Sequence, residues 1–186
     1  MRVFAAIPIE GELGEGVSEL IRDLSRRFPD CRWVRPDNLH VTLRFFGEIP
    51  DDSLDEVIEF VRRGVAGAKP EPISLSGCGM FRNRDRAAIW LGLEDVDWMK
   101  EVSEKLSGRV AGVPAELRPF KAHLTLGRMR IRKNRRGEAE AVIEAVEATA
   151  LPQDSQAELR CVLYQSELSE RGARYRELWG ACLAGL

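Results

Sequence analysis

Apolar and polar positions alternate along this chain in short blocks whose period switches between that of strands and that of helices. Residues 2–9 form an apolar run punctuated by Pro8, which predicts a buried strand. Over 15–28 the spacing changes, with Val17, Leu20, Ile21, Leu24 and Phe28 on one helical face and Pro29 as a stop. A strand at about 38–46 closes at Gly47. A helix to about 66 follows, with Leu54, Val57, Ile58 and Val61 on its apolar side and Asp51 and Asp52 as caps. Two strands, 72–81 and 86–93, flank the polar turn 82–85. Val96, Met99, Val102 and Leu106 mark a helix at 95–109, which leads to a strand at 117–130. An alanine- and glutamate-rich helix at 137–148 precedes two closing strands, 157–168 and 173–182, with Gly172 in their link.

One part of this pattern occurs twice. Val34-Arg35-Pro36, three variable residues and His40-Val41-Thr42-Leu43 return as Leu117-Arg118-Pro119, three variable residues and His123-Leu124-Thr125-Leu126. The chain has two histidines and three threonines, and both histidines and two threonines occupy matched places in the copies. The duplication extends to strand–helix–strand, 3–9 with 38–46 against 86–92 with 117–130, and Val17-Ser18-Glu19 echoes Val102-Ser103-Glu104. This predicts an α+β fold of two pseudo-symmetric lobes, each a mostly antiparallel sheet with helices on its outer face and a groove between them. The 186 residues are read as a single domain of two intimately packed lobes.

In a strand, residues two apart share a face at a separation of about 7 Å. His40 and Thr42 therefore point one way, as do His123 and Thr125, while Val41, Leu43, Leu124 and Leu126 point into the core. Facing lobes would offer two imidazoles and two hydroxyls to one substrate. Displacement at phosphorus has that requirement. One side needs a base to take a proton from the attacking oxygen, the other an acid for the leaving oxygen. Imidazole, with an ordinary pKa of about 6.5, serves either role near neutrality. Hydroxyls can donate to the non-bridging oxygens as charge builds. No metal or organic cofactor enters this scheme.

Composition narrows the setting. A net charge of −2 and a pI near 5.9 disfavour duplex binding by overall charge, so attraction to phosphate must be local. The basic run Arg128, Arg130, Arg132, Lys133, Arg135 and Arg136 is one local source, although such runs are usually solvated loops. Cys31, Cys78, Cys161 and Cys182 are far apart, which fits reduced thiols, and neither histidine has a second ligand at metal spacing. The opening apolar run is too short for a signal peptide and no stretch reaches membrane-spanning length, which points to the cytoplasm. Trp33 and Trp90 read as core residues.

The motifs resemble those of the 2H phosphoesterase superfamily, named for its paired His-x-Thr/Ser-x motifs, and within it the bacterial and archaeal RNA 2′,3′-cyclic phosphodiesterases, also called 2′-5′ RNA ligases. The resemblance runs through Asn38–Glu48, Ile89–Gly92, Arg118-Pro119-Phe120 with His123–Arg128, Leu163–Leu168 and Gly172–Tyr175. Ala122 stands where that family usually has proline. The resemblance implies hydrolysis of RNA ends bearing a 2′,3′-cyclic phosphate to a 2′-phosphate, with His40 as general acid and His123 as general base. Minor 2′-5′ ligation would be the reverse process, and no membrane or obligate protein partner is implied. It also points to Phe45 as a surface for a base and Arg128 as a phosphate contact. Strict alternation would put Phe45 and Arg128 on the face opposite the histidines and Arg44 on theirs; a bend near Gly47 or Gly127 would redirect them. A core Phe45 and a solvated Arg128 are the plain alternatives. At the level of the whole protein the alternatives are a non-catalytic RNA- or nucleotide-binding module, or a 2H hydrolase of another cyclic phosphate such as ADP-ribose cyclic phosphate.

Overall fold

The structure is a computed structural model that describes residues 1–131, 137–169 and 172–183. Arg132, Lys133, Arg135 and Arg136 of the basic run lie outside the described residues. Strand β1 (Arg2–Pro8) leads into helix α1 (Gly11–Arg27), the two-residue β2 (Arg32–Trp33), a 3-10 turn at Pro36–Asn38 and β3 (His40–Glu48). Helix α2 (Leu54–Val65) precedes the hairpin β4 (Leu75–Asn83) and β5 (Arg86–Leu93). Then come α3 (Asp97–Lys105), β6 (Leu124–Arg130), α4 (Glu138–Glu147), β7 (Arg160–Ser169) and β8 (Gly172–Cys182).

The eight strands among the described residues form one sheet in the order β4-β5-β6-β3-β1-β7-β8, with β2 paired to β6. All the pairings are antiparallel. Read outward from the middle, β6-β5-β4 mirrors β3-β1-β7, and the repeat in the sequence becomes an approximate twofold axis between β3 and β6. At that axis the two halves meet through the pair Val41 and Leu124.

The core lies between the sheet and its helices. Val41, Leu43, Ile89, Leu91, Leu124 and Leu126 are buried with Val57, Val61, Met99, Val102, Val142 and Val146 of the helices. Helix α4 packs on β4 and β5, α3 on β3 and α2 on β7. This leaves the opposite sheet face to His40, Thr42 and Thr125, which are only partly buried.

Several boundaries differ from the periodicity, each for a local reason. Helix α1 starts at Gly11, ahead of its first strongly apolar stretch, because Gly11 takes a φ of +61° that turns the chain out of β1. Asp51 and Asp52 do not cap α2; with Ser53 they form a 3-10 turn and make no side-chain capping bond. Strand β4 runs on to Asn83, so only Arg84 and Asp85 form the hairpin turn, Arg84 at a φ of +55°. Residues 117–123 carry no strand pairing, and the second signature strand begins at Leu124.

Candidate active site

Each histidine is held by the backbone two residues before it. His40 Nδ1–H donates to the Asn38 carbonyl at 2.7 Å, and His123 Nδ1–H donates to the Lys121 carbonyl at 2.7 Å. A carbonyl can only accept, so each Nδ1 carries the hydrogen and each neutral ring presents an unprotonated Nε2. His40 Nε2 accepts from the Thr42 hydroxyl at 3.1 Å. The turn behind His40 is tied down in its own right, since Asn38 Nδ2 donates to the Ala173 carbonyl of β8 at 2.9 Å.

The Val41–Leu124 pair fixes how the halves face each other. His40 and Thr42 flank Val41, and His123 and Thr125 flank Leu124, so the two His-x-Thr motifs meet side by side at the axis. The two rings are near enough that His123 acts on the charge of His40. His40, Thr125 and Arg128 share a groove of about 220 Å³ with Trp33 and Tyr175.

Phe45 and Arg128 reach this face by a device that strict alternation omits. Opposite β1, Ala6 pairs with Thr42 and Ala5 with Arg44, so Leu43 is an extra residue on β3. Opposite β5, Trp90 pairs with Thr125 and Ile89 with Gly127, so Leu126 is an extra residue on β6. These are β-bulges at the same place in both repeats, directly after His-x-Thr. A bulge adds one residue and reverses the side-chain phase beyond it. Phe45 therefore stands on the histidine face, 50% exposed, with its ring 5.6 Å from Phe4, which lies 5.1 Å from the His40 ring. Arg128 is likewise exposed at its edge of the groove.

Arg44 goes the other way. It is 3% exposed, donates to the carbonyls of Leu106 and Gly108 and, at 3.0 Å, to that of Pro114, and stacks against Phe46 and Phe60. Its place on the histidine face is thus corrected: Arg44 is a strut between β3 and the end of α3.

Residues that periodicity did not single out complete the surroundings. Tyr175 meets the His40 ring edge-on at 5.3 Å, and Phe81 meets the His123 ring edge-on at 4.8 Å. Trp90 lies 6.4 Å from His123 and Trp33 lines the groove, so neither is simply a core residue. The Lys121 ammonium sits 4.3 Å over Trp90 and 5.1 Å over Phe81. Trp90 and Tyr175 fall in stretches that carry the family resemblance, but the place of each aromatic beside a histidine comes from sheet order between strands distant in sequence.

Burial, then Arg128 and His123, push the His40 imidazole down to about 4 against the upward pull of its bond to Asn38. Burial also lowers His123, helped by Arg128 and Lys121 and opposed by its bond to the Lys121 carbonyl. Both rings are consequently neutral at pH 7, each able to accept a proton at Nε2 when an anion beside it favours the charged form.

Two tethered imidazoles beside hydroxyls and an arginine, on a duplicated antiparallel sheet, make a two-histidine arrangement suited to acid–base work on an anion, and the chain can be compared with known proteins on that basis. A family profile described as LigT like Phosphoesterase matches residues 7–90. An RNA 2′,3′-cyclic phosphodiesterase of Thermotoga maritima is 30% identical over 182 residues, covering 96% of this chain and 94% of that protein. The crystal structure of TT0787 of Thermus thermophilus gives a TM-score of 0.70 at 25% identity over 100% of this chain and 99% of that one. That of Escherichia coli LigT in apo form gives 0.67 at 25% identity, over 97% and 96%. The chain belongs to the LigT-like phosphoesterases of the 2H superfamily. Among the described residues, no helix is long and apolar enough to cross a membrane.

Proposed function

We propose that this phosphoesterase opens the 2′,3′-cyclic phosphate at an RNA end to leave a 2′-phosphate, by acid–base catalysis from two histidines and without a metal. His123 Nε2 takes the proton of the attacking water. His40, protonated once the phosphate anion is seated, gives its Nε2 proton to the leaving 3′ oxygen. Thr42 and Thr125 donate to the non-bridging oxygens, Arg128 balances their charge, and Phe45 carries the terminal base. With a 5′-hydroxyl in place of water the same steps make a 2′-5′ linkage, a minor reaction beside hydrolysis. The same reading treats the chain as one domain of two lobes acting in the cytoplasm.

The observation that supports this most directly is the matched tethering of the two rings. Both use Nδ1–H to a carbonyl at 2.7 Å and so present Nε2, one on each side of the Val41–Leu124 axis. Two such nitrogens can each take up and give back a proton, which acid–base catalysis needs. The names of curated relatives add the RNA cyclic phosphate.

The test is incubation with an oligoribonucleotide ending in a 2′,3′-cyclic phosphate, in EDTA, followed by identification of the product isomer. A 2′-phosphate is expected. A 3′-phosphate would reverse the leaving-group assignment, and loss of turnover in EDTA would refute the metal-free scheme. His40→Ala and His123→Ala should each lower kcat by roughly 10²–10⁴-fold while the protein stays folded.

A further inference from the structure

Both copies of the motif hang the histidine from the residue two places before it, and they differ in what holds that residue. In the first copy Asn38 ends the 3-10 turn Pro36–Asn38, and its Nδ2 donates to the Ala173 carbonyl of β8 at 2.9 Å. In the second copy Lys121 stands in the matching place, and its carbonyl accepts from His123 Nδ1–H at 2.7 Å. Residues 117–123 form neither helix nor strand, so no ladder of backbone bonds aims that carbonyl. The Lys121 side chain is what reaches the sheet. Its ammonium lies 4.3 Å from the centre of the Trp90 ring on β5 and 5.1 Å from that of Phe81 on β4. These two rings, 5.2 Å apart, are the ones that meet His123, Phe81 at 4.8 Å and Trp90 at 6.4 Å. The sheet makes room for the larger ring: Gly79 pairs with Trp90, and a Cβ at Gly79 would lie 2.5 Å from the indole. Lysine, tryptophan, phenylalanine and histidine thus close a loop of contacts around one imidazole.

We infer that Lys121 is the positioning residue of His123, a cation clamped on the Trp90 and Phe81 rings that aims the carbonyl holding the imidazole. This assignment rests on the proposed role of His123 as the base. A cation over an aromatic face is held by the quadrupole of the ring, and fixing the head of the lysine stem restricts the backbone that carries it. His123 inherits that restriction through its bond to the Lys121 carbonyl. Displacing a reacting group by about 1 Å costs on the order of 10²-fold in rate. A stretch without secondary structure, placed immediately before the base, therefore needs an anchor.

The same cation marks the ring electrically. The charged and titratable groups that face His123 are Lys121 from its own loop, Arg128 of β6 and His40 of β3. From β4 and β5 it meets Phe81 and Trp90, which do not titrate. Burial, Arg128 and Lys121 lower His123, whereas burial, Arg128 and His123 lower His40. Arg128 thus acts on both rings, and Lys121 supplies the part that belongs to His123. A base must be neutral to take a proton, and a neighbouring cation favours that form.

With two histidines in the chain, each ring can be followed separately in nitrogen-resolved NMR spectra of the imidazoles. Lys121→Met keeps the stem and removes the charge. In that variant His123 should lose its preference for the Nδ1–H tautomer, and its titration should rise by on the order of half a pH unit, with His40 unmoved. On an oligoribonucleotide with a 2′,3′-cyclic end, kcat should fall by roughly tenfold, and one limb of the kcat/KM profile should follow His123 to higher pH. Lys121→Arg, which keeps the cation and its stacking, should restore tautomer, titration and rate. Gly79→Ala crowds the Trp90 ring and keeps every charge, so it should lower kcat and leave both titrations in place. Urea unfolding verifies that each variant is folded. An unchanged tautomer and titration of His123 in Lys121→Met would overturn the inference and leave the proposed function standing. Equal shifts of both histidines would make Lys121 a general source of charge and overturn it too. So would a higher KM with kcat and both spectra intact, which would make Lys121 a substrate contact. A normal kcat in folded Gly79→Ala would remove the clamp. The expected spectra in a protein that hydrolyses no cyclic phosphate would sustain the clamp and overturn the function instead.

Discussion

His40 is kept neutral by its surroundings, and the stability of the fold should record that. Its imidazole titrates at about 4 in the folded protein, chiefly through burial, against an ordinary value of 6.5. Between those values the unfolded chain binds more protons, so stability rises with pH. The contribution is fully present above pH 6.5 and is lost as the pH falls toward 4. A single group with those two values costs about 2 kcal/mol at pH 5 relative to pH 7.5, and roughly 3 kcal/mol once the folded form also protonates. His123 is shifted in the same direction and adds to the slope. Glu59 and Glu116, held near 2 by arginines, contribute only at lower pH, so the window from pH 5 to 7.5 isolates the histidines. The perturbation is His40→Gln, which keeps a polar side chain and removes the titration. The assay is urea unfolding followed by tryptophan fluorescence at constant ionic strength, in buffers free of phosphate. Wild type should lose about 2 kcal/mol more than the variant between pH 7.5 and pH 5. Added inorganic phosphate should shrink that difference by favouring the charged ring. Equal losses in the two proteins would refute the claim that burial holds His40 neutral, and with it the need for the substrate anion to charge the acid.

The same electrostatics govern rates. kcat/KM, which reports the unliganded protein, should be bell-shaped and peak below about pH 6.5, with kcat displaced to higher pH because bound substrate favours the imidazolium; a kcat/KM optimum above pH 7.5 with rate-limiting chemistry would contradict this. Arg128→Gln should lower kcat/KM by roughly 10–10³-fold and move both limbs of that profile to higher pH, because Arg128 lowers both histidines; a loss of rate with an unmoved profile would make Arg128 a phosphate contact alone. Arg44→Met should lower stability by about 2–4 kcal/mol, since it strands the carbonyls of Leu106, Gly108 and Pro114, yet leave the pH–rate profile in place. Denaturant unfolding checks the first part, and a changed profile would place Arg44 in the site after all.

What could be read from the chain alone was whatever depends on period and repetition. The strand–helix–strand duplication, the alternation of His40 and Thr42 with Val41 and Leu43, and the match of His123 and Thr125 all follow from neighbours in sequence. The bulges at Leu43 and Leu126 do not. A bulge is set by the pairing of two strands, β1 with β3 and β5 with β6, and nothing in His-x-Thr-Leu itself announces that the leucine will be skipped. Without it Arg44 takes the wrong face, and Phe45 and Arg128 lose theirs. Phe4, Phe81 and Tyr175 were equally out of reach, since each joins a histidine only through sheet order. Comparing the repeats position by position was the available clue: Arg44 faces Gly127 in that alignment, and Phe45 faces Arg128.

The two halves differ for a chemical reason. An exact twofold would give both sides of the phosphorus the same surroundings, yet the sides hold different things, a nucleoside on one and an attacking oxygen on the other. The chain keeps symmetry where the chemistry is symmetric and abandons it one residue beyond the bulge. His40 and His123 share a tether, and Leu43 and Leu126 share a bulge. Past that point Arg44 reaches into the core as a strut. Its counterpart Gly127 has no room for a side chain, because a Cβ there would lie 2.8 Å from Cys31 Sγ and 3.0 Å from the Trp33 ring. The same residue that leaves space for Trp33 lets β2 pair with β6, and that pairing sets Arg32 beside Arg128. The first half lacks that strand and instead sets Phe45 over Phe4. One half thereby becomes an aromatic shelf and the other an arginine-walled trough, with the paired imidazoles unchanged between them.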